Sequence, residues 1–253
     1  NQKLLEEYKP KIDAARQAIY DLPRVKKFTK KYNQVKIEKY IESIEAELEE
    51  LDYNDPKDKR KIDSREQKIF TTKKEQELIR PLNLSSPVDL PQLMYSDSGF
   101  KFPVIKNNES GKPSTDEDTL VELRLTIKDP ESPKAIFLDK LLELRGLQKM
   151  YTTYIEGWHE KVQDDSRLHG RYNIHGTDSN RFSSADPNMQ QIPKTSVDPN
   201  IKKQLVAPPG YLYMAFDYSQ AELRMMAHLS GDETYLEAFA KGVDPHLGIA
   251  AAK

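Results

Sequence analysis

Apolar and polar positions repeat with helical spacing along most of the chain before about residue 165. Residues 37–51 place their apolar side chains on one stripe and their glutamates elsewhere, the stripe being Ile37, Tyr40, Ile41, Ile44, Leu48 and Leu51. The segment YNDPKDKRK at 53–61 breaks this pattern, and a second, charged helix is predicted through about residue 80. Its lysines and arginines could meet phosphates, although a solvated face also explains such a charge run.

Three further helices are predicted in this part of the chain. Ser86, followed by a proline and an aspartate, is typical of a helix start. Ser114 and Glu117 fit the spacing of a capping box, which predicts another start there. Residues 134–158 read as one long helix, on which Arg145 and Lys149 are four positions apart and therefore share a face.

The later part of the chain reads differently. After about residue 165 it is rich in Gly, Asn, Ser and Pro, with short strand-like pieces such as RYNIH. Residues 202–219 predict two strands around a Pro-Pro-Gly turn, followed by a helix, a Gly-Asp break and another helix. Helices first and a sheet later predict an α+β fold.

Composition narrows the class of protein. The 253 residues contain 32% charged side chains and a formal charge of −2, which argues neither for nor against a nucleic-acid partner. The chain contains no cysteine, which excludes disulfides and thiolate metal sites and fits a reducing, cytoplasmic location. No apolar run reaches the length of a membrane span, so we expect no membrane partner. The chain begins at Asn1 and stops within a helical pattern, so we expect it to be a piece of a longer protein.

Asp217 is the strongest candidate for chemistry. It follows the apolar run YLYMAF, and a carboxylate at the end of a buried strand is costly unless a cation or a donor satisfies it. One interpretation is that Asp217 caps the helix that follows. The other is that it holds Mg²⁺, which prefers oxygen ligands and uses one or two carboxylates with substrate phosphates.

The segment that contains Asp217, DYSQAELRMMAHLSGDE, resembles motif A of the family A DNA polymerases, the bacterial DNA polymerase I type. GTDSNRFSSADPNMQQIP is similar to the family segment before motif A. ELRGLQKMYTTY resembles the long thumb helix, and PLNLSSPVDLPQLMY with PSTDEDTL resembles the thumb tip. These four matches occur in the family's order over about residues 80–253. The low-glycine, lysine-rich helices also favour a phage member.

The resemblance implies a role for each motif A residue. Asp217 would bind metal with the carbonyl of Tyr218, as part of a site for two Mg²⁺ ions. Glu222 would crowd the sugar of the incoming nucleotide and favour deoxyribose; without the resemblance it is an acid that stabilises a helix N-terminus. The floor beside the nucleotide would be formed by Ser219, Gln220 and Ala221, although the family commonly has a larger apolar residue at the Ala221 position.

Five other residues match DNA-contacting positions. Arg181 would reach the minor groove at the primer terminus, where every base pair offers acceptors. Asn188 and Gln190 would contact template or primer near the same groove, and turn chemistry is their other interpretation. Arg145 and Lys149 match thumb residues that bind backbone phosphates, which position a duplex without reading its sequence.

The resemblance also implies a domain order within an incomplete right-hand polymerase fold. Residues 1–80 would be a helical lead-in, 81–158 the thumb, 159–225 the first half of the palm and 226–253 the start of the fingers. The family's triphosphate-gripping fingers helix and its His-Asp-Glu segment do not occur here. We therefore expect the isolated chain to be inactive.

The function implied is template-directed 5′–3′ deoxynucleotidyl transfer by a two-metal mechanism. The implied partners are primer-template DNA, deoxynucleoside triphosphates and the remaining fingers and palm portion, in the same parent chain or as a separate polypeptide. The implied location is the cytoplasm of a bacterium or of a phage-infected host cell. Two alternatives stay open: a single-subunit RNA polymerase, which Glu222 disfavours, and a non-catalytic DNA-binding or interaction subunit with a palm-like domain.

Overall fold

The computed structural model describes residues 2–53, 55–75, 81–179, 181–193, 198–214 and 216–244. The chain divides into two compact units, Asn1–Lys202 and Lys203–Lys253. Among the described residues, no helix is both long and apolar enough to cross a membrane.

The described residues are mostly helical, with one small sheet. The helices are α1 (Gln2–Tyr20), α2 (Pro23–Glu49), α3 (Lys59–Glu75), α4 (Asp89–Tyr95), α5 (Glu117–Thr126), α6 (Pro133–Lys149), a π-helical turn (Met150–Glu156), α7 (Gly157–His159), α8 (Pro199–Lys203), α9 (Ala221–Ser230) and α10 (Glu233–Ala240). The strands are β1 (Arg171–Asn173) and β2 (Ser183–Ala185). Helices followed by antiparallel strands agree with the predicted α+β class.

Helix α6 is the centre of the first unit. Its buried residues, which lie on one side of the helix, are Ala135, Phe137, Leu138, Leu141 and Leu144. Helix α1 packs against α6 and the π-helical turn, and α5 packs against α6. The α1 stripe that is buried consists of Tyr8, Ile12, Ala15 and Ile19. Since burial of each large apolar side chain contributes about 1.5–3 kcal/mol, this contact fixes the N-terminal helix to the predicted thumb.

An aromatic cluster extends this core towards the loop after α4. The ring centroids of Phe100 and Phe137 are 4.3 Å apart, and those of Phe100 and Phe102 are 5.8 Å apart. Arg24 of α2 covers the outside, with its guanidinium 5.6 Å from the Phe100 ring and its Nε donating to the Gly99 carbonyl at 2.8 Å. The cluster therefore joins α2, the loop and α6.

The two predicted N-terminal helices are present as α2 and α3. Ile44 and Leu48 form a buried cluster with Ile62 of α3, and Leu51 and Ile69 pack against it. Helix α2 ends at Glu49, before the predicted YNDPKDKRK segment, and α3 begins inside that segment at Lys59. The predicted end near residue 80 lies outside the described residues.

The predicted long helix is confirmed, with one change of geometry. Ser132 caps α6 by accepting from the Ala135 amide, and helical backbone continues to His159. The π-helical turn interrupts regular α geometry at Met150–Glu156. Tyr151, Tyr154 and Ile155 of this turn are buried.

The predicted capping box at Ser114 is wrong. Helix α5 begins two residues later than that motif requires, because Asp116 is the N-cap and accepts from the Thr119 amide at 2.8 Å. Ser114 instead accepts from the Asp116 amide through its hydroxyl at 3.1 Å. Hydrogen bonds from Thr119 hold the pKa of the Asp116 carboxyl well below its usual range. An aspartate is as good a cap as serine, so local spacing alone cannot choose between them.

The strand-like RYNIH segment is confirmed as β1. It pairs antiparallel with β2 in the register Arg171 to Ala185 and Asn173 to Ser183. Gly176, in the connecting loop, approaches the hairpin so closely that an added Cβ would lie 1.8 Å from the Ser183 hydroxyl oxygen. Any other residue there would push the two arms of the hairpin apart.

The predicted strands at 202–219 are wrong within the described residues. Residues 205–208 and 211–214 have no regular secondary structure, and α8 ends at Lys203. The large apolar side chains of this segment are 71–90% exposed: Tyr211, Leu212, Tyr213, Met214 and Phe216. A strand needs a neighbour to satisfy its amides and carbonyls, and no described residue pairs with this segment.

The helix–break–helix prediction after residue 220 is confirmed. Gly231 ends α9 with φ 69°, a left-handed conformation that suits glycine. Asp232 then caps α10 by accepting from the Tyr235 amide at 3.1 Å.

Replacing Phe137 by alanine should lower the free energy of unfolding by about 3–5 kcal/mol, because its ring is fully buried in the aromatic cluster. Urea denaturation followed by circular dichroism measures this. The matched control is Phe70→Ala on α3, where the ring is 64% exposed. Equal losses in the two variants would contradict the central role of the cluster.

Replacing Asp116 by alanine should cost about 1 kcal/mol near neutral pH, because the cap of α5 is lost. Its folded-state pKa lies below the ordinary value of 3.8, so its stabilising effect is present above that pH and is lost as the pH falls through the lower, folded-state value. Denaturation of wild type and variant across acidic pH checks this convergence. Asp118→Ala, in the same first turn without the cap bond, should cost less; a pH-independent gap between wild type and D116A would refute the assignment.

Candidate nucleotide and DNA contact residues

Asp217 lies four residues before α9, in an exposed, irregular segment of the second unit. It does not cap the helix: the N-cap is Gln220, which has φ 53° and ψ 40° and makes no side-chain cap bond. The capping interpretation of Asp217 is therefore wrong. No described residue forms a hydrogen bond or an ion pair with its carboxylate that would give it a structural role.

The residues after Asp217 are held by α9 and α10. Arg224 of α9 donates through Nε to the Ser219 carbonyl at 2.9 Å, and its guanidinium lies 4.5 Å from the Phe239 ring of α10. Gln220 donates through Nε2 to Asp244 at 3.0 Å. These contacts fix the turn at 219–220 on the start of α9 while Tyr218 stays 88% exposed.

Ala221 and Glu222 form the first turn of α9, and both are exposed. A carboxylate in the first turn interacts favourably with the helix macrodipole. This electrostatic role accounts for an acid at Glu222 and leaves its side chain accessible from solvent.

The donor set for a divalent cation is partial. Asp217 and the Tyr218 carbonyl are oxygen donors of the kind that Mg²⁺ prefers. Within the described ranges, no group of three or more His, Cys, Asp or Glu side chains is close enough to hold a metal ion. The residues present therefore fit one side of a Mg²⁺ shell and require other oxygen ligands to complete it.

Arg181 lies in the β1–β2 loop of the first unit, next to β2, and its side chain is exposed. The Thr177 hydroxyl organises the loop by accepting from the Arg181 amide and donating to its carbonyl, both at 2.9 Å. Asn188 accepts from the Gln190 amide at 3.0 Å, which is the turn chemistry expected of the sequence DPN. Gln190 itself is exposed. Arg181, Asn188 and Gln190 thus lie on one short stretch around β2.

Sequence reasoning missed the residues that hold this stretch. Tyr154 of the π-helical turn donates to the Gln191 carbonyl at 2.6 Å, and its ring forms a T-shaped pair with Trp158, the centroids being 5.5 Å apart. Lys161 forms an ion pair with Asp186 at 3.0 Å and lowers the pKa of that carboxyl. No sequence motif links Tyr154 to Gln191 or Lys161 to Asp186. The only signal in the sequence was an aromatic residue, Tyr154, on the predicted long helix.

Arg145 and Lys149 differ in their surroundings. Arg145 is half-buried and donates through Nη1 to the Thr115 carbonyl, just before the cap of α5. Burial lowers the pKa of its guanidinium, and the charges of Glu117 and Asp116 act in the opposite direction. Lys149, in the last turn of α6, is exposed. Arg145 therefore supports the α5–α6 contact, whereas Lys149 is accessible to a ligand.

The chain matches the family model described as DNA polymerase family A over residues 48–253. This match includes all eleven candidate residues and extends further towards the N-terminus than the motifs in the sequence.

Curated relatives agree. The chain is 39% identical over 171 residues to DNA polymerase I of Pseudomonas aeruginosa, which covers 67% of this chain and 18% of that protein. It is 37% identical over 174 residues to the thermostable DNA polymerase I of Thermus aquaticus, covering 68% and 20%. The chain thus spans about a fifth of the length of these relatives.

A solved structure is also similar. The POL domain of Pol1 from M. smegmatis, in complex with DNA primer-template and dNTP, has a TM-score of 0.54 and 25% identity, covering 89% of this chain and 36% of that one. The match of the family model over most of the sequence is decisive, and the chain belongs to DNA polymerase family A.

Proposed function

We propose that this chain provides the thumb and the first half of the palm of a DNA-directed DNA polymerase. The observation that carries the proposal is the family match over residues 48–253, which contains the exposed Asp217–Glu222 segment. The M. smegmatis relative was solved with primer-template and dNTP, and we propose the same classes of ligand here. The reaction would be template-directed 5′–3′ deoxynucleotidyl transfer.

The domain limits follow the resemblance. Residues 81–158 would form the thumb, 159–225 the first half of the palm, and 226–253 the start of the fingers. Residues 1–80 would lead into the thumb, which the packing of α1 against α6 supports.

The nucleotide site would be built on the start of α9. Asp217 and the Tyr218 carbonyl would hold one side of a divalent cation, and in the complete site two Mg²⁺ ions would clamp the reacting phosphoryl oxygens. Ser219 and Gln220, fixed by Arg224 and Asp244, would form a rigid floor. Ala221 leaves more space there than a larger apolar residue would.

Glu222 would discriminate between deoxyribose and ribose in the incoming nucleotide. Its carboxylate is exposed at the first turn of α9, where a 2′-hydroxyl would meet it. A steric gate of this kind favours deoxyribose, which is the main argument against an RNA polymerase.

The proposed DNA contacts would be of two kinds, to the minor groove and to backbone phosphates. Arg181, with Asn188 and Gln190, would contact minor-groove acceptors that every base pair presents. Lys149 would bind a backbone phosphate directly. Arg145 also matches a phosphate-binding position, and its bond to the Thr115 carbonyl would hold it ready beside the duplex.

Catalysis would need the remaining palm and fingers portion, in the same parent chain or as a separate polypeptide. That portion would bring the second carboxylate and the cations that grip the triphosphate. Phosphoryl transfer depends on positioning and electrostatics, so one carboxylate without these partners should not support it. The exposed apolar side chains at 211–214 and 216 support this proposal, since neighbouring exposed apolar side chains mark interaction sites.

Replacing Asp217 by asparagine should abolish primer extension when the chain is combined with a polypeptide that carries the remaining family A palm and fingers. The loss should be at least about a thousandfold, because a metal ligand is removed, while affinity for primer-template stays within about twofold. Single-turnover extension and fluorescence anisotropy measure the two effects. Asp164→Asn, at an exposed turn, is the control.

Two outcomes would contradict parts of this proposal. If Asp217→Asn extends primers normally, the palm is not catalytic and the interaction-subunit alternative is favoured. If wild type stays inactive with a partner half that is competent with another family A thumb, the two-polypeptide version fails.

Replacing Glu222 by alanine should weaken discrimination against ribonucleotides by about 10- to 100-fold, because the group that crowds the 2′-hydroxyl is removed. The measurement is the ratio of kcat/KM for deoxy- and ribonucleoside triphosphates in the same combined enzyme. Glu233→Ala, which removes a first-turn acid from α10, controls for the macrodipole. Preference for ribonucleotides in the wild-type enzyme would favour the RNA polymerase alternative.

A further inference from the structure

Helix α2 carries charge of opposite sign in its two halves. Residues 22–37 contain six lysines and arginines and no carboxylate, whereas residues 38–50 contain six glutamates and one lysine. The basic half lies outside the stretch that matches the family model. Its function is therefore not described by the family resemblance.

The basic half presents its lysines on the side opposite its buried side. Val25, Phe28 and Thr29 are buried, and the Tyr32 ring stacks on Phe28 at 5.1 Å. With 3.6 residues per turn, Lys27, Lys30 and Lys31 fall on the other side of the helix, and all three are exposed. We call these three lysines the α2 basic face.

Part of the other basic run, on α3, is neutralised by the acidic half of α2. Arg65 forms an ion pair with Glu47 at 3.0 Å, and Lys73 approaches Glu45 at 4.0 Å. These two cations of α3 are therefore explained by packing between α2 and α3, and they need no external anion.

The α2 basic face has no such neutralisation. The neighbouring Lys26 and Lys36 pair with Asp21 at 2.9 Å and Asp89 at 2.7 Å. In the part of the chain that the structure describes, the α2 basic face makes no ion pair. Like charges four residues apart, as at Lys27 and Lys31, destabilise a helix, and an anionic partner would relieve this repulsion.

We propose that the α2 basic face binds the phosphate backbone of duplex DNA without reading its sequence. This inference rests on the proposed polymerase function and adds a contact surface outside the family match. Lys27 and Lys31 are separated by about 6 Å along the helix axis, and B-DNA presents a charge every 1.7 Å or so of its own axis. Three flexible ammonium groups can therefore each find a phosphate.

The composition of the face favours DNA over a membrane. A helix that inserts into a lipid interface needs apolar residues beside its lysines. The next residue on this face is Gln34, which donates to Glu38 at 3.0 Å. Val25 and Phe28 pack inwards, and Val35 is the one large apolar side chain of this half that is exposed, at 39%.

The test is the salt dependence of binding of the whole chain to a primer-template duplex, measured by fluorescence anisotropy. Lys27→Gln, Lys30→Gln and Lys31→Gln are combined in one variant. The slope of log affinity against log salt should become shallower by about two to three, and affinity at about 0.1 M salt should fall at least tenfold. The same three positions changed to arginine should keep the wild-type slope, which controls for folding.

A charge-matched control substitutes glutamine for Lys61, Arg65 and Lys73 of α3, which already pair with Asp58, Glu47 and Glu45, and should change the slope by less than one. Equal effects of the α2 and α3 triple variants would overturn the proposal, as would an unchanged slope in the α2 variant. Wild-type binding to DNA with no salt dependence, or no binding, would instead argue against the polymerase function itself.

Vesicles of phosphatidylcholine with about a third phosphatidylserine form the second arm of the experiment. Loss of vesicle binding in the α2 variant, with DNA binding intact, would assign the face to a membrane and overturn the proposal.

Discussion

The apolar stripe of α6 joins parts of the chain that are far apart in sequence. Helices α1 and α5 both pack against α6, and Phe137 reaches the aromatic loop after α4. The same helical segment continues through the π-helical turn, where Tyr154 holds the stretch that contains Asn188 and Gln190. Positions proposed to contact DNA therefore depend on burial of this stripe.

The second unit depends on a different constraint. Backbone amides and carbonyls need partners, and within the described residues the segment at 211–214 has neither a strand neighbour nor a helix of its own. Its exposed rings and its irregular backbone have the same cause, which is the lack of a surface to pack against. Asp217 therefore directly follows a segment whose large apolar side chains are exposed.

The sequence predicted helices better than strands, for a physical reason. The stripe from Ile41 to Leu48 is set by local spacing, and a helix satisfies its own backbone groups. The strand predicted at YLYMAF needs hydrogen bonds from a distant segment, which no local pattern supplies. Of the hairpin, only β1 was predicted, from RYNIH; its pairing with β2 and the close approach at Gly176 are seen only in the structure.

The candidate residues that lie in one sequence motif were predictable, whereas the contacts between residues of different elements were not. Asp217 and Glu222 were identified from a continuous segment, and the cap interpretation of Asp217 failed only once Gln220 was seen at the N-cap. The bond from Arg145 to the Thr115 carbonyl depends on how α5 meets α6. Nothing in the local sequence of either helix specifies how α5 and α6 pack against each other.

The division of charge along α2 has a consequence for the helix itself. The positive end of a helix macrodipole is at the N-terminus, and there α2 has no acid in its first turn but carries Arg24 and Lys26. The negative end meets Glu47 and Glu49, with no basic residue in the last turn. Both ends thus carry the unfavourable sign, at a cost of roughly 0.3–1 kcal/mol per charge. A peptide of α2 alone would be a poor helix, so its 27 residues depend for their regular structure on the helices packed around them.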